Sequence, residues 1–304
     1  MNENIIEIKG LTKKFGEVSA VSGVDFIVKK GEMYGLVGPD GAGKTTIIRM
    51  LCGIIEPDSV SGRIIDYDFI KEKSKIKKHI GYLSQKFSLY HDLSIDENIE
   101  FFAEIHGIKE YKKRRDELLI FTRLTDFRKR LAGNLSGGMK QKLALACTLI
   151  HKPDIIFLDE PTTGVDPVSR RDFWKILFSL LKDGITIVLT TPYLDEAERC
   201  TKIALMNNGK FLVSDNLYNI KKMINGHFIE IICSDIRRAY KILLKNKNIL
   251  EAQTFGDRIN IQIKHTDKME EISGELRNNK IEILSEREIS PSLENIFISL
   301  IKEN

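Results

Sequence analysis

The chain has 304 residues, of which 42% are hydrophobic and 30% are charged. This composition is typical of a soluble globular protein, and the length permits one large α/β domain with a smaller second domain. The 47 Lys and Arg residues nearly balance the 43 Asp and Glu residues, giving a net charge of +4. So weak a positive charge disfavours a dedicated DNA-binding role and predicts no nucleic-acid partner.

The sequence shows no targeting or membrane-spanning segment. Its first residues lack the positively charged start and apolar stretch of a secretion signal, and no run of about 18 uncharged apolar residues occurs. We therefore expect a chain that stays in the cytoplasm. The cysteines are too widely spaced for zinc or redox pairs and are expected to be buried thiols, namely Cys52, Cys147, Cys200 and Cys233.

The first part of the chain alternates strands and helices. Apolar patterns predict strands at Ile5–Leu11 and Val24–Val28, and Met33–Val37 reads as a short buried strand followed by a helix from Lys44. Helical periodicity then indicates an inserted helical lobe over about residues 90–150. Further on, strand Ile155–Leu158, a helix from about Val168 to Leu181 and strand Ile185–Leu189 predict a parallel sheet.

The pattern changes from about Gly226 to a small α+β unit. We place the domain boundary between residues 222 and 223, so that the domains span 1–222 and 223–304. The elements expected in the second domain are strand Phe228–Cys233, helix Asp235–Leu244, strands Ile249–Thr254 and Ile259–Ile263, helix Lys268–Leu276 and strand Ile281–Leu284.

One segment fits the pattern G-x-x-x-x-G-K-[ST] at the turn from a buried strand into a helix. Glycines let successive backbone N–H groups point at phosphate oxygens, and the helix N-terminus adds partial positive charge. Lys44 would reach the β- and γ-phosphates of a nucleotide, and Thr45 would hold Mg²⁺. The predicted nucleotide-binding residues are Gly38, Pro39, Asp40, Gly41, Ala42, Gly43, Lys44, Thr45 and Thr46.

Two carboxylates follow a second buried strand. Asp159 and Glu160 directly follow Ile155–Leu158, at the edge of the sheet where nucleotides bind in open α/β folds. Asp159 suits a Mg²⁺ shell. Glu160 is placed to orient or deprotonate an attacking water, the base role in phosphoryl transfer.

The segment Leu135-Ser-Gly-Gly-Met-Lys-Gln141 lies between these two motifs. It resembles the signature of ABC-type ATPases, and the resemblance covers roughly residues 4–220. It implies an α/β fold with a P-loop ABC ATPase core, an antiparallel β subdomain, the inserted helical lobe and a small C-terminal α+β domain. Ser136 can cap a helix, and the bare backbone at Gly137 and Gly138 can approach a phosphate. In the family that phosphate belongs to ATP held by a second ATP-binding subunit.

The resemblance also assigns roles to three other residues. Phe15 stands where the family has an aromatic ring that stacks on adenine, and Gln85 stands in the family's glutamine loop, which touches Mg²⁺ or water. Asp166, in Gly164-Val-Asp-Pro167, is similar to the loop that crosses between the two subunits. ATP and Mg²⁺ are thus the expected cofactors, and a membrane-spanning permease subunit is the expected partner at the cytoplasmic face of the membrane.

One position departs from the family's pattern. After Thr190-Thr191 the family has a histidine that contacts the γ-phosphate, whereas this chain has Pro192, which lacks both a side-chain donor and an N–H. None of the six histidines is placed to substitute for it. We therefore expect an ATPase that powers an exporter, or alternatively a catalytically weak, nucleotide-gated switch subunit that works with an intact partner cassette.

The C-terminal segment Ile289-Ser-Pro-Ser-Leu-Glu-Asn-Ile-Phe297 is similar to the tail of ATP-binding subunits in bacterial drug, lipid and polysaccharide exporters. Two interpretations stay open for it: a regulatory or dimer-contact role, or a helix that packs on its own small sheet. A soluble ABC ATPase acting on ribosomes or DNA is disfavoured, because the chain has neither a second cassette nor a long coiled-coil insertion.

Overall fold

The computed structural model describes residues 3–86, 89–223 and 226–303. Two compact units divide the chain, Met1–Ser214 and Asp215–Asn304. The predicted domain boundary lies further along, inside a helix at Leu217–Met223. The difference arises because the turn signal at Gly226 follows this helix, whereas the change of unit precedes it.

The first unit contains two sheets and a group of helices. Its elements, in chain order, are β1 (Asn4–Phe15), β2 (Val18–Lys29), β3 (Met33–Val37), α1 (Lys44–Leu51), β4 (Ser59–Ile64), β5 (Tyr67–Asp68), α2 (Lys73–Ile76), β6 (Ile80–Leu83), α3 (Ile95–Ile105), α4 (Tyr111–Thr122), α5 (Gly137–Leu149), β7 (Ile155–Asp159), α6 (Pro167–Lys182), β8 (Thr186–Thr191), α7 (Leu194–Ala197), β9 (Lys202–Asn207) and β10 (Lys210–Asp215).

A mainly parallel sheet of six strands, in the order β10-β9-β3-β8-β7-β6, forms the centre of this unit. Its register aligns the ends of three strands, since Val37 pairs with Thr191 and Asp159 pairs with Thr190. The segments that follow β3, β7 and β8 therefore emerge together at one edge of the sheet. This confirms the predicted parallel sheet and fixes where a site can form.

An antiparallel sheet in the order β2-β1-β4-β5 packs with the parallel sheet and α1 around a shared core. Phe26 of β2 and Tyr34 of β3 meet edge to face in this core, with ring centroids 4.8 Å apart. Both side chains are fully buried. The antiparallel sheet carries the exposed Phe15 at the end of β1.

The inserted helical lobe comprises α3, α4 and α5. Helix α3 begins with a capping box, in which Ser94 and Glu97 exchange hydrogen bonds. At the other end of α3, the rings of His106 and His151 stack with centroids 3.9 Å apart. Nε2 of His151 lies 2.9 Å from the carbonyl oxygen of Ile80, so the stack links the lobe to the start of β6.

The second unit is a small α+β fold. Its elements are α8 (Leu217–Met223), β11 (His227–Cys233), α9 (Ile236–Leu243), β12 (Ile249–Phe255), β13 (Arg258–Ile263), α10 (Met269–Asn278), β14 (Ile283–Ile289) and α11 (Leu293–Glu303). The sheet order β12-β13-β11-β14 with antiparallel pairing gives the ferredoxin-like arrangement. The last strand was predicted at Ile281–Leu284, but Ile281 closes the turn after α10 and β14 extends to Ile289. The middle of β14 is exposed, so the apolar pattern did not mark it.

The two faces of this second sheet differ in chemistry. One face packs against α9 and α10 through aliphatic side chains such as Ile231, Ile261 and Ile272. The other carries buried polar side chains, and Ser299 of α11 donates hydrogen bonds there to Glu251 and Gln262.

None of the helices in the described ranges has the length and apolar character needed to cross a bilayer. The four cysteines are free and buried, as predicted.

Candidate nucleotide site

The predicted phosphate-binding loop, residues 38–46, contains two glycines that cannot be replaced by larger residues, because neighbouring backbone lies too close. A Cβ atom at Gly38 would lie 2.3 Å from the carbonyl oxygen of Met206, at the end of β9. A Cβ atom at Gly43 would lie 2.3 Å from the carbonyl oxygen of Ala20, and Gly43 also has a φ of +101°. Any side chain at either position would force the loop away from β2 or β9. The loop is therefore clamped between the two sheets at the point where α1 begins.

A cleft of about 320 Å³ lies against this loop. Seven of the predicted nucleotide-binding residues line it, together with Glu160. Its other walls come from the start of β2 and from the turn between β9 and β10. The lining residues are Val18, Ser19, Ala20, Asp40, Gly41, Ala42, Gly43, Lys44, Thr45, Thr46, Glu160 and Asn208.

Lys44 is a buried cation with three oxygen neighbours. Its side chain is 4% exposed, and Nζ donates to the carbonyl oxygens of Gly38 and Pro39 over 2.8 and 2.9 Å. Oε1 of Glu160 lies 3.7 Å from the same Nζ. A buried ammonium is stable only with such partners. The same three donor directions can serve phosphate oxygens at the mouth of the loop.

Asp159 is fully buried, and one of its carboxylate oxygens accepts hydrogen bonds from two hydroxyl groups. Thr45 and Thr190 each donate to Oδ1 over 2.8 Å. The other oxygen, Oδ2, is buried and has no hydrogen-bond partner among the residues that the structure describes. Buried polar atoms are nearly always satisfied, so Oδ2 marks a place for a further ligand.

This donor set fits Mg²⁺. Mg²⁺ prefers oxygen ligands and is commonly bound by one or two carboxylates together with substrate phosphates. Thr45 Oγ1 and the free oxygen of Asp159 supply protein oxygens beside the loop. Within the described residues, no cluster of three or more His, Cys, Asp or Glu side chains forms an all-protein metal site. A metal here would depend on phosphate for the rest of its shell.

Glu160 occupies a constrained position after β7. Its backbone has a φ of +47°, a region that residues other than glycine rarely adopt. The backbone N–H donates to Thr190 Oγ1 over 2.9 Å, and Gln85 Nε2 donates to Oε2 over 2.9 Å. These contacts hold the carboxylate between Lys44 and Gln85, at the edge of the cleft. An oriented carboxylate in this place can accept a proton from a water that attacks a phosphate.

The signature segment begins helix α5, as predicted. Ser136 caps the helix by accepting a hydrogen bond from the N–H of Met139 over 3.3 Å. A Cβ atom at Gly138 would lie 2.4 Å from both Cβ and Oγ of Ser169 in α6. Gly137 is freer, because its nearest such neighbour, the carbonyl oxygen of Gly164, lies at 3.6 Å. Gly138 thus lacks a side chain because two helices meet there.

Asp166 caps helix α6. Its Oδ1 accepts from the N–H groups of Val168 and Ser169 over 3.1 and 2.9 Å. Hydrogen bonds from the Ser169 side chain and backbone lower the pKa of Asp166. The cap therefore fixes the loop that, by its resemblance to the family, is expected to cross between two subunits.

Several predicted site residues do not line this cleft. Ser136, Gly137, Gly138 and Asp166 lie elsewhere on the first unit. Phe15 is 49% exposed and pairs in register with Val18, which does line the cleft. Their roles toward a nucleotide remain predictions.

Sequence reasoning missed two residues of the site. Thr190 bridges Asp159 and Glu160, and Asn208 enters the cleft from a turn at φ +46°. The sequence predicted the strand only as far as Leu189 and gave Thr190 no role; its polarity beside a buried strand was the available signal. Nothing near Asn208 in the sequence points to a phosphate.

Comparison with known proteins identifies the family. A family model described as "ABC transporter" matches residues 21–163, and one described as "ATP-binding protein DrrA1-3-like, C-terminal domain" matches residues 216–301. The linearmycin resistance ATP-binding protein LnrL of Bacillus subtilis is 31% identical over 304 residues, covering 97% of this chain and 98% of that protein. The chain belongs to the ATP-binding proteins of ABC transporters.

Other relatives agree with this ABC cassette assignment. The probable multidrug ABC transporter ATP-binding protein YbhF of Escherichia coli is 42% identical over 224 residues, or 72% of this chain. The chain spans only 38% of the length of YbhF. A solved ATP-binding subunit of an ABC transporter superposes with a TM-score of 0.65 at 28% identity, covering 72% of this chain and 92% of that one.

A further cassette structure, dimeric and bound to ADP and Pi, superposes with a TM-score of 0.62 at 28% identity, covering 70% of this chain and 98% of that one. These findings confirm the ABC ATPase fold and the nucleotide-binding class of the chain.

Proposed function

We propose that this ABC cassette hydrolyses ATP with Mg²⁺ and thereby powers a membrane exporter. The observation that carries the proposal is the position of Glu160, whose carboxylate lies 3.7 Å from Lys44 Nζ and 2.9 Å from Gln85 Nε2 at the edge of the phosphate cleft. A base that follows β7, a cation at the start of α1 and an orienting amide that follows β6 thus lie together.

Each residue has a task in this proposal. The loop amides and Lys44 bind the phosphates, and Gln85 and Thr190 orient Glu160, which takes the proton from the attacking water. Mg²⁺, held by Thr45 and Asp159, would neutralise charge that develops on the phosphate oxygens. Phe15 supplies an exposed ring on which an adenine base can stack.

We further propose that two cassettes close head to tail on ATP. Ser136, Gly137 and Gly138 lie at the N-terminus of α5, outside the cleft of their own chain. A helix N-terminus favours an anionic group, so the phosphate of a partner's ATP is a suitable ligand. The dimeric cassette that superposes on this chain supports such an assembly. Asp166 would then lie on the loop shared by the two sites.

In this proposal the membrane partner, and not this chain, recognises the transported compound. Relatives of this chain are named for linearmycin resistance, daunorubicin resistance and bacitracin transport. We propose accordingly that the chain docks on a permease subunit at the cytoplasmic face of the membrane and that the transporter exports a toxic compound. The domain at about 223–304 is proposed to be regulatory or to contribute to the dimer.

The test is Mg²⁺-dependent ATP turnover of the full chain beside the variant Glu160→Gln, with nucleotide binding measured on both. Turnover that is lost by about a hundredfold or more in the variant, with binding retained, is the expected result. Equal turnover in the two proteins would contradict the proposal.

A second candidate function rests on Pro192. This residue follows β8 directly and offers no side-chain donor to a phosphate. A cassette of this kind could bind ATP as a switch while a partner cassette performs most of the turnover. Tight ATP binding without turnover, together with a gain of turnover in Pro192→His, would favour this second function over the first.

A further inference from the structure

Glu196 is a buried carboxylate that the proposed reaction does not use. It lies on α7, and its side chain is 1% exposed. Oε1 accepts a hydrogen bond from Thr162 Oγ1, and Oε2 accepts one from Thr191 Oγ1 over 2.8 Å. Arg170 Nε lies 3.5 Å from Oε1. Burying a carboxylate away from water is costly unless it is paired and hydrogen-bonded. These partners therefore hold Glu196 in place, and Glu196 in turn holds their side chains in place.

The partners of Glu196 come from three separate segments. Thr162 follows Glu160 by two positions, in a turn where the N–H of Val165 donates to the Thr162 carbonyl oxygen over 3.1 Å. Thr191 is the last residue of β8 and directly follows Thr190. Arg170 lies in the first turn of α6, with its N–H bonded to the Asp166 carbonyl oxygen over 2.8 Å. One carboxylate therefore joins the segments that carry Glu160, Thr190 and Asp166.

The same network fixes the backbone on both sides of Pro192. Thr191 Oγ1 accepts from the N–H of Tyr193 over 3.0 Å while it donates to Glu196. The guanidinium of Arg170 lies over the Tyr193 ring at 4.9 Å from its centroid. The turn that contains Pro192 is thus held by hydroxyl groups, a cation and a ring, without any side-chain donor from position 192 itself.

From this juxtaposition we infer that Glu196 and Arg170 are positioning residues for ATP hydrolysis: they hold the Glu160 segment, the Pro192 turn and the start of α6 in one fixed arrangement. The inference rests on the proposed function. Neither residue lines the phosphate cleft, so both act through Glu160 and the Pro192 turn. Misplacing a reacting group by about 1 Å can cost about a hundredfold in rate, so loss of the pair should lower turnover strongly.

The experiment compares the full chain with Glu196→Gln, Arg170→Gln and the double variant. Glutamine keeps the shape of the carboxylate and one acceptor oxygen, and removes the charge that faces Arg170. Thr162→Val removes only one hydroxyl group and serves as an independent probe of the network. The matched control is Asp195→Asn, an exposed acid one residue away on α7. For each protein kcat, KM for ATP, equilibrium ATP binding and Tm are measured.

We expect kcat to fall tenfold or more in Glu196→Gln, with KM and ATP binding within about twofold of the parent. Arg170→Gln should behave alike, and the double variant should be no worse than the more impaired single variant, because the two residues act as one unit. Asp195→Asn should be unchanged. An unchanged kcat in folded Glu196→Gln would overturn the inference, and so would losses of kcat and ATP binding in equal proportion.

A second readout does not depend on turnover. Amide hydrogen exchange should increase together over residues 160–166 and 190–194 in Glu196→Gln, while residues 44–51 keep their protection. If the parent chain hydrolyses no ATP, the proposed function fails, and the coupled exchange still decides whether Glu196 joins these segments. Exchange that is unaltered in both segments would overturn the inference by itself.

Discussion

Thr190 donates a hydrogen bond from its hydroxyl group to Oδ1 of Asp159 over 2.8 Å, on the neighbouring strand of the parallel sheet. The hydroxyl oxygen of Thr190 in turn accepts a hydrogen bond from the N–H of Glu160 over 2.9 Å. A single buried hydroxyl thus sets the position of the proposed metal-binding carboxylate relative to the proposed base. It also satisfies a backbone donor that the left-handed conformation of Glu160 would otherwise leave without a partner.

Replacing this hydroxyl should impair both stability and turnover. In Thr190→Val the N–H of Glu160 loses its acceptor, and an unsatisfied buried donor costs about 1–3 kcal/mol. Chemical denaturation should show that loss, and ATP turnover should fall while ATP binding persists. Thr190→Ser keeps the hydroxyl and is the control; if it is as impaired as the valine variant, the hydrogen bonds are not the cause.

Alanine substitutions in the phosphate-binding loop should affect ATP binding differently at Gly38 and at Gly41. A Cβ atom at Gly38 would lie 2.3 Å from a backbone carbonyl oxygen, whereas one at Gly41 would meet nothing within 4 Å, although φ there is +80°. Gly38→Ala should therefore abolish ATP binding. Gly41→Ala should cost about 1 kcal/mol of stability and leave measurable binding. Calorimetric titration with ATP separates the two, and equal binding by both variants would contradict the close approach at Gly38.

A stability loss caused by enlarging Gly138 in α5 should be partly reversed by making Ser169 in α6 smaller. Gly138→Ala places a methyl group 2.4 Å from Cβ and Oγ of Ser169, so Tm should fall, and overpacking of this kind costs about 1–3 kcal/mol. Gly137→Ala, whose nearest neighbour lies at 3.6 Å, should change Tm little.

The decisive measurement is the Tm of Gly138→Ala with Ser169→Gly. The second substitution removes the atoms that the new methyl group meets, so part of the lost stability should return. A double variant with a Tm no higher than that of Gly138→Ala alone would show that another contact explains the glycine.

Stability should depend on pH through His151. Burial, together with the neighbouring His106, lowers the pKa of His151 to about 4. The unfolded chain, with a histidine pKa of about 6.5, binds more protons than the folded chain between these values, so stability is full above about pH 6.5 and is lost as the pH falls toward 4. His151→Gln should flatten this part of the pH profile, measured as the free energy of unfolding.

The control for that profile is His265→Gln, which replaces an exposed histidine in the second unit. It should leave the acid limb unchanged. An acid limb that is the same in His151→Gln as in the parent chain would contradict the role of His151.

The sequence predicted those parts of the site that are contiguous along the chain. The loop from Gly38 to Thr46 has a sequence pattern that can be recognised by itself. Asp159 and Glu160 come at the end of a buried strand that its run of apolar residues predicts. Thr190 and Asn208 could not be found in this way, because only the sheet register and the turn after β9 bring them to the loop. Spatial proximity of that kind has no local signature.

The same limit applies to the glycines and to the last strand. Gly138 was explained by phosphate approach, yet its closest constraint comes from Ser169, about thirty residues away in the sequence. Strand β14 lies at the edge of its sheet with exposed side chains, so only its pairing with β11 defines it.

The sheet of the second unit has faces that would respond differently to water. Its aliphatic face under α9 and α10 would lose hydrophobic stabilisation if uncovered. Under α11, Glu251 and Gln262 accept hydrogen bonds from Ser299, and water can offer the same bonds. Removing the C-terminal helix would therefore leave Glu251 and Gln262 able to bond to water, whereas the burial of its own Leu293 and Ile296 would be lost.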